Sequence, residues 1–329
     1  IYFRKILMTD LSASYNSYLI CQEQYLKEKP RGSSPKHLVC FKNWTGDMVM
    51  EIINSALKLK CNLIDTHGKR LDLLENSKIM ILQEVNAPVL NMAVSKAATL
   101  LGADAVNIVD RLIWNHDYNG RVFSFMADAI FVATSTHTCL QRFAQQSLVP
   151  VMCMTSRTHS TIQAMATIMT IIEEFGTIRK LNIAYFGSPH PVLNSYLLLC
   201  PILGANIKFK CCCSKQPVSP LLYKAGETLC AQSHTSLEAC TDKNKALCKA
   251  DVVIAGPENV KKLSEFKLCY QDIEELACPS WIFLHTCPRG KEVDDNLFFH
   301  DRARTFVAFE NFQYIAAALM ASAIKDHTF

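Results

Sequence analysis

The stretch KIMILQEVNAPVLNMAVSKAATLLGADAVNIV, residues 78–109, decides the fold. Its first part, residues 78–83, is a short apolar run between polar residues, which is typical of a buried strand. Residues 91–103 have apolar side chains at helical spacing and end at Gly102, and glycine commonly follows the last turn of a helix. Residues 104–109 predict another strand. A strand, a helix and a second strand in this order predict parallel pairing with a crossover helix.

The same alternation of strands and helices extends on both sides of this unit. Residues 46–60 form an amphipathic helical stripe, and residues 161–176 predict a long helix between the two halves of the chain. Further strands are predicted at 127–134, 149–154, 180–188, 206–211, 250–256 and 280–286. The predicted fold class is α/β, with two doubly wound domains of parallel sheets joined by long interdomain helices.

Composition narrows the range of functions. The 329 residues are 50% hydrophobic and 19% charged, enough apolar material for two packed cores. The net charge is +4, and the lysines and arginines are dispersed, so no nucleic-acid partner is expected. No apolar run reaches roughly eighteen residues, which argues against a membrane partner or a membrane-spanning helix.

We expect neither a metal ion nor a cofactor from sequence motifs. The fifteen cysteines lack the C-x-x-C pairs of structural zinc sites and are interpreted as reduced thiols, many of them in the core. The glycine after the strand near residue 186 is followed by SPHPV, which does not match the G-x-G-x-x-G of dinucleotide sites.

The N-terminal segment predicts a cytoplasmic location. After Met8 it contains acidic residues, with no arginine before Arg31, whereas mitochondrial presequences are rich in arginine and poor in acids. The alternative is the mitochondrial matrix, with the presequence absent from this chain.

Five segments together resemble one enzyme family in both order and spacing. They are HLVCFKNWTGD (37–47), SFMADAIFVA (124–133), KLNIAYFG (180–187), WIFLHTCPRGKEVDDNLFF (281–299) and VAFEN (307–311). Over residues 37–325 the chain resembles the ornithine carbamoyltransferases. The resemblance implies a polar arm (1–36), a carbamoyl-phosphate-type domain (37–160), an ornithine-type domain (161–310) and a C-terminal helix that returns to the first domain (311–329).

The reaction of that family transfers a carbamoyl group from carbamoyl phosphate to the side-chain amine of ornithine. A dianionic phosphate must be held while an amine attacks, and arginine suits this because its guanidinium binds phosphate bidentately. The family binds the phosphate with a loop that reads S-T-R-T-R. By alignment this loop falls on Ala87, Pro88, Val89, Leu90 and Asn91, so both arginines and both hydroxyls are replaced.

Other family motifs are also altered. A further family arginine falls at Ala133, and the arginine of the E-N-R motif falls at Phe312. The histidine of the H-P-x-Q motif falls at Ser160, and the S-M-G segment is missing between Gly256 and Ser264. The residues interpreted as relics of the pocket are Glu84, Gln163, His285 and Cys287.

Three nearby basic residues, Arg157, His159 and Arg289, are the candidates for a substitute anion site. Each relic also has a simpler interpretation, because Gln163 and His285 could satisfy backbone groups at the domain junction and Cys287 could be core packing. With the arginines gone, Glu84 is expected to be solvated or paired with a lysine.

The leading hypothesis is a catalytically inactive carbamoyltransferase homologue with a structural or protein-interaction role. The resemblance implies a homotrimer, so we expect a homo-oligomer, a protein assembly, or both. The alternative is a transcarbamylase of altered substrate specificity or residual ornithine carbamoyltransferase activity. A basic interdomain cleft would favour the alternative, and a filled cleft would favour the first hypothesis.

Overall fold

The computed structural model describes residues 36–65, 69–110, 116, 118–188, 190–211, 218–257 and 266–329. Apart from its last residue, the predicted N-terminal arm lies outside these described residues. All the described residues belong to one compact unit.

The first half of the chain is built on a parallel four-stranded sheet with the strand order β2-β1-β3-β4. Its elements are α1 (Gly46–Asp65), β1 (Lys78–Gln83), α2 (Pro88–Leu101), β2 (Asp104–Val109), α3 (Asn119–Phe123), β3 (Ala129–Ala133), α4 (His137–Gln146), β4 (Val151–Thr155) and α5 (Thr161–Phe175), preceded by a 3-10 turn at Phe41–Asn43. The chain winds outward from β1 in one direction and then in the other. The strand order therefore reverses between β1 and β3, where ligand-binding crevices form in such sheets.

The second half contains a parallel five-stranded sheet with the strand order β7-β6-β5-β8-β9. Its elements are β5 (Asn182–Gly187), α6 (Pro191–Ile202), β6 (Asn206–Cys211), α7 (Pro220–Ser233), β7 (Leu237–Ala239), α8 (Lys243–Leu247), β8 (Val252–Ala255), α9 (Tyr270–Leu276), β9 (Ile282–His285), α10 (Asp295–Phe298) and α11 (Thr305–Lys325). Here the order reverses between β5 and β8. The predicted fold class, two doubly wound parallel-sheet domains, is confirmed.

The predicted unit at residues 78–109 forms with one adjustment. Both strands have the predicted bounds, but α2 begins at Pro88, three residues earlier than the apolar spacing indicated. Proline suits the first helical position, because it has no N–H to lose there and its φ angle is already helical. Gly102 ends the helix with a left-handed φ of 85°.

Two long helices join the sheets. Helix α5 packs against β4 of the first sheet and α6 of the second, and α11 packs against α1, α2 and α5. Because α11 begins at Thr305, the predicted boundary at residue 310 falls inside this helix. Within the described part of the chain, α11 is the one helix long and apolar enough to cross a membrane, and 72% of its apolar window is buried in the fold. Its apolar side chains are therefore core residues here.

Strand β2 differs from the other strands of its sheet. It forms the sheet edge, and all of its residues are exposed except the half-buried Ile108, whereas β3 is buried along its whole length. Val106 is 45% exposed and Val109 is 77% exposed. An edge strand with uncovered apolar side chains is a surface that readily pairs with another chain.

Candidate functional site

The crevice of the first sheet lies at the carboxyl ends of β1 and β3, and a carboxylate holds it together. Glu84 follows β1 and accepts hydrogen bonds from the Thr134 hydroxyl at 2.5 Å, the Ser135 hydroxyl at 2.7 Å and the Ser135 amide at 3.0 Å. The backbone amide of Glu84 also donates to the carbonyl of Ala133 at 2.8 Å. Glu84 therefore ties the two strand ends together, a role that the sequence did not predict.

The first turn of α2 occupies the position of the family phosphate loop. Its N-cap, Ala87, has no side chain that could cap the helix, and Pro88 has no N–H to donate. Val89 is 50% exposed, Leu90 is buried, and the Asn91 side chain accepts a hydrogen bond from Ser95 at 3.2 Å. From Glu84 to Met92 the chain has no lysine or arginine. This helix end offers two backbone amides and no positive charge to an anion.

The carboxyl ends of β5 and β8 pack closely at the switch point of the second sheet. Gly187 has a φ of 132°, and a Cβ atom on it would lie 3.0 Å from the Cα of Gly256. A Cβ atom on Gly256 would lie 2.1 Å from the hydroxyl oxygen of Tyr185, which donates to the Ser188 carbonyl at 2.9 Å. Both glycines are required by this contact between the strand ends and the Tyr185 hydroxyl.

Gln163 links the two halves of the molecule. It lies in the first turn of α5 and is 9% exposed. Its side-chain amide donates to the Thr286 carbonyl at 3.0 Å, and its oxygen accepts from the Ser160 hydroxyl at 3.3 Å. Both ends of the amide are therefore engaged in contacts within the protein. Sequence reasoning had included this role as the simpler of two interpretations.

His285 ends β9 and is bound to a carboxylate that the sequence analysis missed. The His285 Nδ1 atom accepts from the Cys287 amide at 2.8 Å, so the proton lies on Nε2, which donates to Glu292 at 2.7 Å. Both residues are 4% exposed. The only sequence signal for this pair was their spacing of seven residues, which does not reveal that the loop folds back.

Glu292 is stabilised in its ionised form. Burial raises its pKa, but hydrogen bonds from His285 and from the Gly290 amide, at 2.9 and 3.0 Å to the two carboxylate oxygens, outweigh this effect. The net pKa of Glu292 is lowered. Nearby, burial and the proximity of His285 lower the pKa of His190 to about 4, so that side chain is neutral at pH 7.

The thiol of Cys287 is half-buried beside this network. Burial and the nearby Glu292 carboxylate raise its pKa, so the group is a protonated thiol at pH 7. It packs against the apolar cluster that contains Phe283 and Phe298. This placement agrees with the packing interpretation.

Between Gln163 and His285 there is a small cavity. The volume available to the centre of a water molecule is about 10 Å³, which is roughly the space for a single water. Its walls include Tyr196, Phe309 and Phe312. Phe312, at the position of a family arginine, is 3% exposed and belongs to the core. The interdomain space at this point is filled by side chains.

The three candidates for a substitute anion site are not joined by any contact among the described residues. Arg157 is exposed, and Arg289 pairs with Asp295 at 2.6 Å while its guanidinium lies 4.5 Å from the centre of the Phe298 ring. Burial and the nearby His137 lower the pKa of His159 to about 3, so it carries no charge at pH 7. Most of the stretch between Gly256 and Ser264, from which the family's S-M-G segment is missing, lies outside the described residues.

Comparison with known proteins agrees with this architecture. Residues 36–173 match the family model "Aspartate/ornithine carbamoyltransferase, carbamoyl-P binding domain", and residues 179–323 match "Aspartate/ornithine carbamoyltransferase, Asp/Orn binding domain". The chain is 26% identical over 310 residues to the mitochondrial ornithine carbamoyltransferase of Aquarana catesbeiana, covering 89% of this chain and 88% of that protein. The mitochondrial ornithine transcarbamylase of Gallus gallus is 24% identical over 310 residues, with 89% and 87% covered.

Solved structures show the same fold. The ornithine carbamoyltransferase from Pyrococcus furiosus superposes with a TM-score of 0.82 at 23% identity, covering 90% of this chain and 99% of that one. The mitochondrial enzyme from Coccidioides immitis gives a TM-score of 0.81 at 22% identity, with 88% and 98% covered. With both domain models matched in order, this chain belongs to the aspartate/ornithine carbamoyltransferase family.

Proposed function

We propose that this member of the family does not transfer carbamoyl groups and instead has a structural or protein-interaction role. The observation that carries the proposal is the first turn of α2. The helix begins at Pro88. Residues 84–92, where the family resemblance places the phosphate, contain no cationic side chain.

The expected loss of catalytic power is large. By alignment, family arginines are replaced at Val89, Asn91, Ala133 and Phe312. A hydrogen bond to a charged group contributes roughly 1.5–3 kcal/mol, so four such losses amount to about 6–12 kcal/mol if they add. Contacts to one ligand do not add fully. Half of the lower figure is still a loss of about a hundredfold in rate or affinity.

The cavity supports the same conclusion. Its room for about one water molecule is far below the several hundred Å³ of a typical small-molecule site. The polar groups that remain beside it, Gln163 and His285, are already paired with Thr286 and Glu292. A substrate would have to displace these contacts to reach either side chain.

The proposed role in assembly is supported by the exposed edge of the first sheet. Val106 and Val109 on β2, and Val89 and Met92 on α2, present apolar side chains to solvent. Met92 is 69% exposed. We propose that this surface pairs with copies of the chain, as a homotrimer by family resemblance, or with another protein.

We also propose a reducing compartment, the cytoplasm, as the location. Every cysteine that the structure describes is a free thiol, and only Cys61 and Cys248 among these are exposed. The mitochondrial matrix, which is also reducing, is the alternative. Localisation of the tagged full-length protein in cells distinguishes the two.

The catalytic part of the proposal is tested with purified, full-length protein. We expect no citrulline from carbamoyl phosphate and ornithine, with the Gallus gallus relative assayed in parallel as the positive control. Carbamoyl phosphate should also leave the melting temperature unchanged, whereas a ligand of the native state at a hundred times its Kd would add about 2.7 kcal/mol of stability. Turnover that is lost in Gln163→Ala would contradict the proposal.

The alternative, altered substrate specificity, has its own readout in the same experiment. Phosphate release from carbamoyl phosphate is measured with a panel of amino acids and amines in place of ornithine. Release with one of these amines, sensitive to Gln163→Ala, would identify an enzyme of changed specificity. Uniformly absent release supports the non-catalytic role.

The assembly part is tested by light scattering and sedimentation. Val106→Lys and Val109→Lys place charges on the β2 edge and should shift the protein towards monomer. Leu221→Lys, at a position on α7 that is 82% exposed, is the matched control and should leave the assembly unchanged. A wild-type protein that stays monomeric at micromolar concentration and recovers no partner from its tissue would refute the assembly role.

A further inference from the structure

Three adjacent parallel chain segments end at one corner of the first sheet. Strands β3 and β4 are neighbours, and the segment at Leu38 continues the sheet beyond β4, with its amide 3.0 Å from the Val151 carbonyl and its carbonyl 2.8 Å from the Cys153 amide. Beyond the carboxyl end of each segment lies one residue with a metal-binding side chain. These residues are Cys40, His137 and His159.

The three side chains converge. One ligand atom from each, the sulfur or a ring nitrogen, lies within 4.8 Å of the other two. The two imidazole rings meet edge to face with their centres 5.1 Å apart. His159 is 2% exposed, whereas Cys40 and His137 are half-buried. Solvent or a metal ion therefore reaches the cluster from the side of Cys40 and His137.

A serine hydroxyl contacts the Nδ1 atom of each histidine. His159 Nδ1 lies 3.3 Å from the Ser195 hydroxyl, and His137 Nδ1 lies 3.1 Å from the Ser156 hydroxyl. The Nδ1 atom of each ring is therefore engaged with a serine, whichever of the two atoms donates the proton.

The described side-chain hydrogen bonds of both histidines are made by Nδ1, and none involves Nε2. Nε2 is therefore the ring nitrogen left to a metal on each histidine. A histidine that binds a metal through one ring nitrogen donates its other ring N–H to an outer partner, and the two serine oxygens lie at hydrogen-bond distance for this role.

We propose that Cys40, His137 and His159 form a binding site for a zinc ion, with one solvent molecule as the fourth ligand. One thiolate and two imidazoles are ligands that Zn²⁺ prefers, and four-coordinate zinc holds N and S ligands at roughly 2.0–2.3 Å. Ligand atoms around such a centre are separated by roughly 3.3–3.8 Å. The side chains need to close by about 1 Å, within the range of small χ adjustments. The Cys40 thiol releases its proton to solvent as the Zn–S bond forms, and no electron transfer is involved.

The site would join three strand ends that are distant in sequence. It is independent of the proposed loss of catalysis, because none of its three residues is paired with Gln163 or His285 in the described contacts. Bound zinc stabilises the folded first domain, since the unfolded chain does not hold the three ligands together.

The first experiment measures metal binding by the tag-free, full-length protein after chelator treatment. We expect one equivalent of Zn²⁺ with a rise in melting temperature, and with Co²⁺ the visible bands of a tetrahedral site together with a thiolate-to-cobalt charge-transfer band. Cys40→Ser and His137→Asn should each weaken binding by roughly a hundredfold or more. Cys40→Ser should also remove the thiolate-to-cobalt charge-transfer band, and His137→Asn should remove the visible bands of the tetrahedral site. Cys139→Ser, a half-buried cysteine two residues from His137, is the matched control and should bind as the wild type does.

The second experiment needs no variant and so does not depend on how the substitutions fold. Zinc K-edge absorption of the loaded wild-type protein should show one sulfur and two imidazole nitrogens in the first coordination shell. A shell of several sulfurs, or of oxygens alone, would overturn the proposal. So would the absence of stoichiometric binding, or binding that Cys40→Ser and His137→Asn leave unchanged.

Discussion

Two loops follow strand ends, one in each sheet, and they differ in how their side chains are used. The loop from Glu84 to Asn91 after β1 is mainly apolar beyond its first residue, and the side chain of Val89 is half-exposed. The loop from His285 to Glu292 after β9 is held by hydrogen bonds among the His285 ring, the Cys287 and Gly290 amides and the Glu292 carboxylate. Two of its other polar atoms, the Thr286 hydroxyl oxygen and one Arg289 guanidinium nitrogen, are buried without a hydrogen-bond partner among the described residues. The second loop keeps contacts that maintain the fold, while groups that would hold an anion are absent from the first. Retention of a family residue is therefore not evidence of activity when its partners lie within the protein.

The largest effect is expected from Glu292→Ala. The change leaves the Nε2–H of His285 and the Gly290 amide buried without acceptors, so the free energy of unfolding should fall by about 3 kcal/mol. Urea denaturation measures this value. Glu275→Ala, at an exposed glutamate of α9, is the matched control and should stay within about 0.5 kcal/mol of the wild type. If Glu292→Ala and Glu275→Ala both changed the free energy of unfolding by the same small amount, the loop after β9 would not be held by the Glu292 hydrogen bonds.

Gln163→Ala should have the next largest effect. It removes the donor to the Thr286 carbonyl and the acceptor for the Ser160 hydroxyl, both buried, at a cost of about 2 kcal/mol in the free energy of unfolding. The exposed Gln145→Ala is the control. A neutral Gln163→Ala protein would show that this amide is free to serve a ligand rather than the domain junction.

A smaller, pH-dependent effect is expected from Glu292→Gln. Because the folded-state pKa of Glu292 is lowered, the carboxylate contributes stability that is fully present above its unfolded-state value of about 4.5 and is lost as the pH falls through the folded-state pKa. The wild type should exceed Glu292→Gln by about 1 kcal/mol at pH 7. That margin should shrink steadily below pH 4.5. A margin that grows on acidification would mean that the neutral carboxyl is the favoured form.

The smallest effect is expected in the loop after β1. Val89→Arg places a charge on an exposed side chain with no described polar partner, so the free energy of unfolding should change by no more than about 0.5 kcal/mol. Thermal and urea denaturation check this expectation. A loss of 2 kcal/mol or more would show that the apolar first turn of α2 is itself packed against something, most directly another subunit.

The sequence predicted the elements better than their contacts. Strand β1 was predicted to the residue, because a buried strand between polar residues has a strong local pattern. The start of α2 was missed by three residues, because the prediction followed the apolar spacing and did not use Pro88 as a first helical residue. The exposure of β2 was not predictable, because its apolar residues are of the types that form buried strands.

Site residues that act through distant partners were out of reach of sequence reasoning. Glu84 was expected to be solvated or paired with a lysine, but it binds hydroxyls of the loop after β3, about fifty residues away. His159 was considered as a cation, and only the folded structure shows its burial. Cys40 and His137 are far apart in the chain, so no spacing rule could have paired them.

The path of the last helix has a consequence for synthesis on the ribosome. Helix α11 completes the packing of α1, α2 and α5, and the Phe329 amide donates to the Ser55 hydroxyl across almost the whole length of the chain. The first domain therefore cannot finish folding before α11 has been synthesised, and the apolar faces that α11 covers stay exposed until then. A chain that stops before Thr305 lacks the helix that packs against α1, α2 and α5, and so lacks part of the core of the first domain.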